Sequence, residues 1–317
     1  MKILYEDNDI IVCYKEAGIP VQSARLGTQD MVSMLNNYLA DTRDRSGYEE
    51  NGVKDVENSS EKTKYRGKPS EKVKKSERYS ERTAMPEIYV VHRLDQPVEG
   101  VLVFAKTKRA ASDLSKQVSD GTMKKTYHAV CCCVQEEKSE NSLGKKRDAQ
   151  EKEYTTLVDY LVKDARNNTS FAADKSRKDA KRAELRFRIM GTYTEPESKT
   201  ENEVKKNEDD ETGRREWKKQ RNYMLTEIDL KTGRHHQIRV QMAHHKMPLY
   251  GDRKYNAQWE TYLLRRQNEE RDPFMKKSAD QLALCAVRLS FRHPVSGKVM
   301  TFETKPQGAV FQIFVNQ

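Results

Sequence analysis

The sequence predicts a mixed α and β fold, and three observations carry that expectation. Apolar patterning is confined to three segments, 1–40, 87–134 and from about 223 onward, separated by long polar stretches. Within those segments, apolar runs of strand length alternate with stretches whose apolar residues recur every three or four positions. There is no internal repeat and no terminal region of unrelated composition. One domain spanning 1–317 is therefore expected.

The first segment opens with strand-like runs at 3–5 and 10–14, then a turn at 18–20. Thr28 is expected to cap a helix on which Met31, Met34, Leu35, Tyr38 and Leu39 share one face. The second segment reads strand, turn, strand, helix, strand. Its pieces are the apolar 88–91, a buried strand at 101–105, and a helix capped by Thr107 with Ala110, Ala111, Leu114 and Val118 on one side. The apolar run 128–134 then follows. The third segment predicts a strand to Leu230, a helix over 234–246, strands at 282–291 and 299–303 around a turn at 293–297, and a short closing helix at 308–315.

Two polar stretches, about 41–86 and about 135–220, are read as insertions. They are too poor in apolar residues to offset the entropy of ordering a chain. The second holds two strand-like islands, 154–162 and 183–193. Overall, 59 Lys and Arg against 49 Asp and Glu leave a formal charge of +10. Such an excess attracts polyanions, although charge alone leaves nucleic-acid binding and simple solubility both open.

The five cysteines include the consecutive Cys131, Cys132 and Cys133. Neighbouring strand residues point to opposite faces, so the triplet fills a strand and cannot alone make a four-ligand zinc site. His235, His236, His244 and His245 lack acidic or cysteine partners at metal-ligand spacing, so no metal is expected. The absence of a Gly-rich phosphate loop argues against a nucleotide cofactor. Glu6 and Asp7 break any leader-like run, and no apolar stretch reaches the roughly 18 residues of a membrane span. A soluble, cytoplasmic chain with reduced thiols is expected.

Chemistry concentrates in two places. His92-Arg93-Leu94-Asp95 follows a strand and precedes Gly100 and another buried strand, which suits a carboxylate in a concave site. A surface ion pair with a turn aspartate is the competing reading. The second place contains Thr232-Gly233-Arg234-His235-His236-Gln237-Ile238-Arg239 and then Pro248-Leu249-Tyr250-Gly251-Asp252. Thr232 and Gly233 turn into a helix on which Ile238 and Met242 form an apolar stripe, with His235 and Arg239 on a neighbouring face. An arginine on a core helix needs a carboxylate partner, because a buried unpaired charge is strongly unfavourable.

Together, in this order, these two stretches resemble the paired signature of RluA-family pseudouridine synthases. Further matches are Lys125-x-Tyr127-x-Ala129, Pro248-Leu249-x-Gly251-Asp252-x-x-Tyr255, and His293-Pro294-x-x-Gly297 followed by Phe302-Glu303. The resemblance covers somewhat more than half of the chain. It implies an α+β pseudouridine synthase fold: a mixed, mostly antiparallel bent sheet with flanking helices and a central active-site cleft. It also implies Asp95 as the catalytic aspartate, Tyr127 as the base-stacking tyrosine and Arg239 as the partner of that aspartate. Arg93 would position the displaced nucleotide and Ile238 would pack beneath the base, with His92, Arg234 and Gln237 completing the RNA-binding set.

The resemblance further implies action on ribosomal or transfer RNA, without metal or organic cofactor; a monomer is expected. The family's frequent N-terminal S4-type domain is not expected here. The chain departs from the family pattern at Val98 and Glu99, where Thr-Ser is frequent, and at Gln241, where histidine is common. Two other functions stay open at this point: a noncatalytic RNA-binding or ribosome-assembly protein that keeps the cleft, and a glycosylase that releases free uracil.

Overall fold

The computed structural model describes residues 1–25, 27–51, 87–133, 153–194, 222–259 and 281–315. The first strands, β1 (Lys2–Glu6) and β2 (Ile10–Lys15), form an antiparallel pair, and all of β2 is buried. That continuous apolar run marks a strand covered on both faces. Helix α1 (Met31–Asn51) follows. Its cap is Asp30 rather than Thr28: one carboxylate oxygen accepts the Ser33 amide at 2.8 Å and the other the Ser23 amide at 2.6 Å. A charged acceptor three residues before the first free amide outcompetes a hydroxyl one turn too early. Because α1 runs to Asn51, the first part of the expected 41–86 insertion continues a helix, and 52–86 lies outside the described residues.

The middle of the chain supplies β3 (Tyr89–Val90), β4 (Glu99–Ala105), α2 (Lys108–Ser119) and β5 (Lys124–Cys133). Thr107 caps α2 as expected, accepting the Ala110 amide at 3.2 Å. Next come β6 (Thr155–Asp164), β7 (Thr169–Ala173) and β8 (Lys181–Thr194), then β9 (Asn222–Leu230), α3 (Gln237–His244), β10 (Leu284–Arg292), β11 (Val299–Glu303) and a closing 3-10 turn, Ala309–Phe314. The stretch 153–194 is thus a folded part of the main sheet and not a polar insertion. The expected strand-like islands 154–162 and 183–193 are β6 and β8, half-exposed and polar on one side, and β7 lies between them. The flanking 134–152 and 195–221 lie outside the described residues.

Among the described residues, one 11-stranded sheet has the order β1-β2-β4-β10-β5-β9-β8-β6-β7, with β3 beside β4 and β11 beside β10. Every pairing is antiparallel except β4 with β10. The mixed, mostly antiparallel α+β sheet anticipated from the sequence is therefore present. The single parallel contact joins Glu99 and Gly100 to Cys285 and Ala286. Gly100 adopts φ +127°, and a Cβ there would lie 2.4 Å from the Ala286 carbonyl oxygen. This glycine lets two strands approach each other.

The sheet has two covered faces. Ile11, Cys13, Leu102, Phe104, Tyr127, Ala129 and Ile228 point to one side, where Met31 and Leu35 of α1 and Ile238 and Met242 of α3 pack on them. On the other side Ile10, Val12, Val101 and Val103 meet Ala110 and Leu114 of α2. Further along that second side, Val130 meets Tyr250, Trp259 and Val310. Strand β5 lies mid-sheet, so Tyr127 projects from the centre of the face that α3 covers. No helix among the described residues is long and apolar enough to cross a membrane.

Helix α3 is shorter than the expected 234–246 because both ends are set by left-handed residues, His236 (φ +53°) and Lys246 (φ +63°). Gln237 opens the helix instead of touching RNA. Its carbonyl oxygen accepts from Thr232 Oγ1 and the Arg234 amide, and its Nε2 donates to the Glu184 carbonyl and Gln241 Oε1. With all its polar atoms engaged inside the fold, it has none left to offer RNA.

His92 was likewise expected at the RNA surface and is instead buried, its Nε2 accepting the Val103 amide at 3.2 Å. Burial first, and then the charge of Lys125, push its pKa well below the ordinary 6.5. The unfolded chain therefore takes up a proton near pH 6.5 that the folded chain refuses. This contribution is full above about pH 6.5 and is lost as pH falls below it. Urea midpoints measured from pH 7.5 down to 5.5 are expected to fall, with a shallower slope in His92→Gln. A slope unchanged by that substitution would exclude His92 as a source.

Candidate active site

Asp95 stands in the short loop between β3 and β4, closed by a turn in which the Val98 amide donates to the Asp95 carbonyl at 3.0 Å. The loop is held from behind by Lys15 at the end of β2. This fully buried side chain donates to the carbonyls of Glu16 (3.0 Å), Ile19 (2.7 Å) and Gln96 (3.0 Å). Burial pulls its pKa down to about 8 against the opposing pull of Asp95 and Glu99. The lysine therefore ties β2 to the residue after the candidate nucleophile.

Arg239 comes from the middle of α3 and is 5% exposed. Its Nη1 donates to Asp95 Oδ2 at 3.2 Å, while Nε and Nη2 grip both oxygens of Asp252 at 2.8 Å each. Burial alone would lower the arginine's pKa; the bonds to Asp252 and Asp95 outweigh it and raise it. The Tyr255 ring lies 5.1 Å from the guanidinium carbon, within cation–π range. Asp252 is itself fixed, since the amides of Lys254 and Tyr255 donate to its Oδ1.

Tyr127 projects from β5 into the same apolar cluster as Ile238 and Leu94, the residue before Asp95. Burial, and after it the Asp95 carboxylate, push its hydroxyl pKa up, so it stays protonated. His236 completes the set: its Nε2 lies 3.6 Å from Asp95 Oδ2 and its Nδ1 is 2.7 Å from the Tyr255 hydroxyl. Asp95 keeps about a quarter of its side chain open to solvent, at 28%. Exposed Lys163 and Lys254 lie near the adjoining His235 and His236, and Arg93 and Arg234 are exposed as well.

A carboxylate fixed through one oxygen, in a partly exposed site walled by an aromatic ring and an aliphatic side chain, suits attack on or proton removal from a bound sugar. A family model described as RNA pseudouridylate synthase matches residues 9–244. This chain belongs to that family. The family's activity is isomerisation of uridine to pseudouridine in RNA, and the matched residues include Asp95, Tyr127, Ile238 and Arg239.

Among curated relatives, tRNA pseudouridine synthase C of Vibrio cholerae is 29% identical over 207 residues, covering 65% of this chain and 68% of that protein. Ribosomal large subunit pseudouridine synthase D of Haemophilus influenzae is 27% identical, covering 68% of this chain and 52% of that protein. The solved structure of human RNA pseudouridylate synthase domain containing 4 superposes with a TM-score of 0.53 at 16% identity, covering 99% of this chain and 92% of that one. That likeness places the fold.

Of the residues predicted from the sequence, the fold brings Asp95, Tyr127, Ile238 and Arg239 together, leaves Arg93 and Arg234 exposed, and withdraws His92 and Gln237 into the interior. His235 does not share a helical face with Arg239, because it precedes α3 and stacks on His236 with ring centroids 3.8 Å apart. Sequence reasoning missed the roles of Lys15, Asp252, His236 and Tyr255. The signal for Asp252 was available: a core arginine demands acid, and this one lies 13 residues on in a motif already singled out.

The departures from the family pattern are interior. Val98 is core, Glu99 accepts from Tyr14 Oη at 2.5 Å and from the Gln307 and Gly308 amides, and Gln241 donates to Asp159 at 2.7 Å. Replacing Asp252 with Asn is expected to destabilise the fold by about 3–5 kcal/mol, the usual cost of breaking a buried ion pair from one side. Activity should fall with it, as Arg239 loses its anchor. Denaturant unfolding measures the first effect, and a change below about 0.5 kcal/mol would contradict the anchoring role.

Proposed function

We propose that this chain converts uridine to pseudouridine in structured ribosomal or transfer RNA with Asp95 as its nucleophile. The observation that carries the reading is the asymmetry of that carboxylate. Oδ2 is bonded to Arg239 and approached by His236, whereas Oδ1 has no partner among the described residues. One oxygen is a handle and the other is free to react.

The reaction breaks the bond from uracil N1 to ribose C1′, turns the base and rejoins it through C5. The hydrogen on C5 leaves as a proton and N1 gains one, so there is neither redox change nor hydrolysis and no cofactor is required. The carboxylate either forms an adduct at C1′ or removes the C2′ proton. Both routes use it as a carboxylate, and the Arg239 guanidinium holds its Oδ2 at 3.2 Å. Its position in a loop pinned by Lys15 limits how far it can drift.

A uridine stacked in RNA hides its glycosidic bond, so the nucleotide must be flipped outward before Asp95 can reach the sugar. Tyr127 and Ile238 offer the aromatic and aliphatic walls for the extruded base, and a single base stack is worth about 1–3 kcal/mol in such sites. Arg93, two residues before Asp95, is placed to occupy the gap or hold the flanking phosphate. Arg234, Lys163 and Lys254, with exposed Arg166, Lys175, Lys178 and Lys181 on the β6–β7–β8 extension, make a cationic margin suited to the phosphate backbone. The names of the curated relatives, acting on transfer RNA and large-subunit ribosomal RNA, support that substrate class. We propose a single catalytic domain that works as a monomer in the cytoplasm without metal or organic cofactor.

The test uses RNA labelled with tritium at uridine C5, prepared from cells lacking this gene, because C5–C1′ bond formation releases that label. The wild-type chain is expected to release it and to yield no free uracil on chromatography. Asp95→Asn is expected to abolish release while binding the same RNA within about two-fold, since uncharged isosteres leave phosphate contacts intact. Undiminished release in Asp95→Asn would remove the nucleophile. Normal cellular RNA maturation with that variant would instead favour a noncatalytic RNA-binding role.

A further inference from the structure

His236 is not accounted for by the chemistry above, yet it is the most constrained side chain around Asp95. Its backbone is left-handed at φ +53°, a conformation that β-carbon-bearing residues adopt only at a cost. A glycine or asparagine would accommodate that turn with less strain, so the imidazole itself is what the position retains. The ring is 93% buried at the side-chain level, with 7% exposed, and stacks on His235 at 25° between planes. His235 is fixed in turn by Ser170 Oγ at 2.9 Å and Asn168 Oδ1 at 3.2 Å.

The hydrogen bonds on the far side of the ring decide where its proton sits. The backbone amide of Ser170, on β7, donates to the Tyr255 hydroxyl oxygen at 2.8 Å. The hydroxyl proton of Tyr255 then has one acceptor among the described residues, His236 Nδ1 at 2.7 Å. A neutral imidazole that accepts at Nδ1 carries its hydrogen on Nε2. That nitrogen lies 3.6 Å from Asp95 Oδ2, the same oxygen that Arg239 Nη1 holds.

We infer that His236 is a positioning residue for the nucleophile: Ser170 amide, Tyr255 hydroxyl and His236 imidazole form a relay that presents an Nε2–H to Asp95 Oδ2 and leaves Oδ1 facing the ribose. The inference rests on the reading of Asp95 as nucleophile and adds to it. At 3.6 Å the last contact is longer than a hydrogen bond, so the relay closes by a shift of about half an ångström when substrate crowds the carboxylate. Two donors on one oxygen then fix the carboxylate's rotation, which one donor leaves free. A neutral donor does this without a second full charge, which would hold the carboxylate more tightly and blunt its attack.

The charged and titratable groups facing His236 are Asp95 from the β3–β4 loop, Arg239 from α3, His235 beside it, and Lys254 and Tyr255 from the loop after α3. Lys163 of β6 stands next to His235. Burial, opposed by Asp95 and reinforced by Arg239, His235 and Lys254, brings the His236 pKa down to about 4. The imidazole is therefore neutral throughout the range where activity is measured. Removing the Tyr255 hydroxyl frees Nδ1 to take a proton, so the ring's pKa should return upward and the imidazolium should pair too strongly with Asp95.

The experiment measures single-turnover tritium release from the C5-labelled RNA by wild type, Asp95→Asn, His236→Ala, Tyr255→Phe and the double variant, between pH 5.5 and 8.5. His236→Ala is expected to lose about 10²-fold in kcat, the scale of a misplaced reacting group, with KM within about two-fold. Tyr255→Phe keeps the ring that packs on Arg239, so it guards against a folding defect in the alanine variant. It is expected to lose about ten-fold in kcat and to gain an acid limb near pH 6 that wild type lacks. The double variant should be no worse than His236→Ala alone.

A kcat within two-fold of wild type in His236→Ala, or a loss confined to KM, overturns the inference. So does a Tyr255→Phe profile parallel to that of wild type. Absence of release by the wild-type chain itself, or persistence of release in Asp95→Asn, would instead strike the functional proposal on which the inference stands.

Discussion

Arg239 carries one positive charge and meets two carboxylates, and the geometry divides their work. A guanidinium 5% exposed cannot be left with one weak partner, because the desolvation of a charge this large is tens of kcal/mol in the idealised limit and still several after relaxation. Asp252 answers most of that demand with a two-point grip at 2.8 Å on either side. Its carboxylate is fully buried, so it serves the arginine and little else. What remains is Nη1, and Nη1 reaches Asp95 by one bond at 3.2 Å. The Asp95 carboxylate is thus oriented by a cation whose own position does not depend on it. Were Asp95 the sole partner, each displacement of its carboxylate would strand a buried charge.

That arrangement requires three distant pieces of chain to hold still together. The β3–β4 loop is fixed because Gly100 brings β4 against β10 and because Lys15 clamps the Gln96 carbonyl. The α3 helix is fixed by Ile238 and Met242 packing on mid-sheet strands. The loop holding Asp252 is fixed by Tyr250 and Trp259 on the opposite face, with ring centroids 4.5 Å apart, and by Gly251, where a Cβ would fall 2.1 Å from the Gln281 carbonyl. Both faces of the sheet therefore contribute to one site. Strand β5 can occupy the centre with ladders on both edges because its neighbours β9 and β10 are antiparallel to it along nearly its whole length.

Much of this was legible in the sequence where burial sets the residue type. Strands β2 and β4 announce themselves as apolar runs because both faces are covered; that a core arginine needs an acid follows from burial, and the choice of Asp95 as a partner of Arg239 is what the family resemblance implied. The rest was hidden for identifiable reasons. β7 is five residues long, with only Ser170 buried, so it has no period to detect. Strand β8 carries Arg182, Arg186 and Arg188, neutralised by Glu184 on the same strand and by Asp229 and Glu227 on β9, so in sequence the strand-like islands 154–162 and 183–193 sit within what reads as a charged insertion. The left-handed His236 cannot be read from residue type, since it is an exception to the preference for glycine and asparagine. The bond from Ser170 to Tyr255 spans 85 positions and obeys no local pattern.

The distribution of charge also separates binding from chemistry. The cations suited to RNA are exposed at the rim: Arg93, Lys163, Arg234 and Lys254, with the outer lysines of the β6–β8 extension. Inside that rim the partners of Asp95 are one internally neutralised arginine and one imidazole kept uncharged by its surroundings. Salt screens the first group over a Debye length of about 8–10 Å and hardly touches the second. Affinity for the phosphate backbone is thereby free to vary with ionic strength, while the buried contacts that orient Asp95 do not. Between the two regimes stand Tyr127 and Ile238, in the apolar cluster that adjoins Asp95 through Leu94.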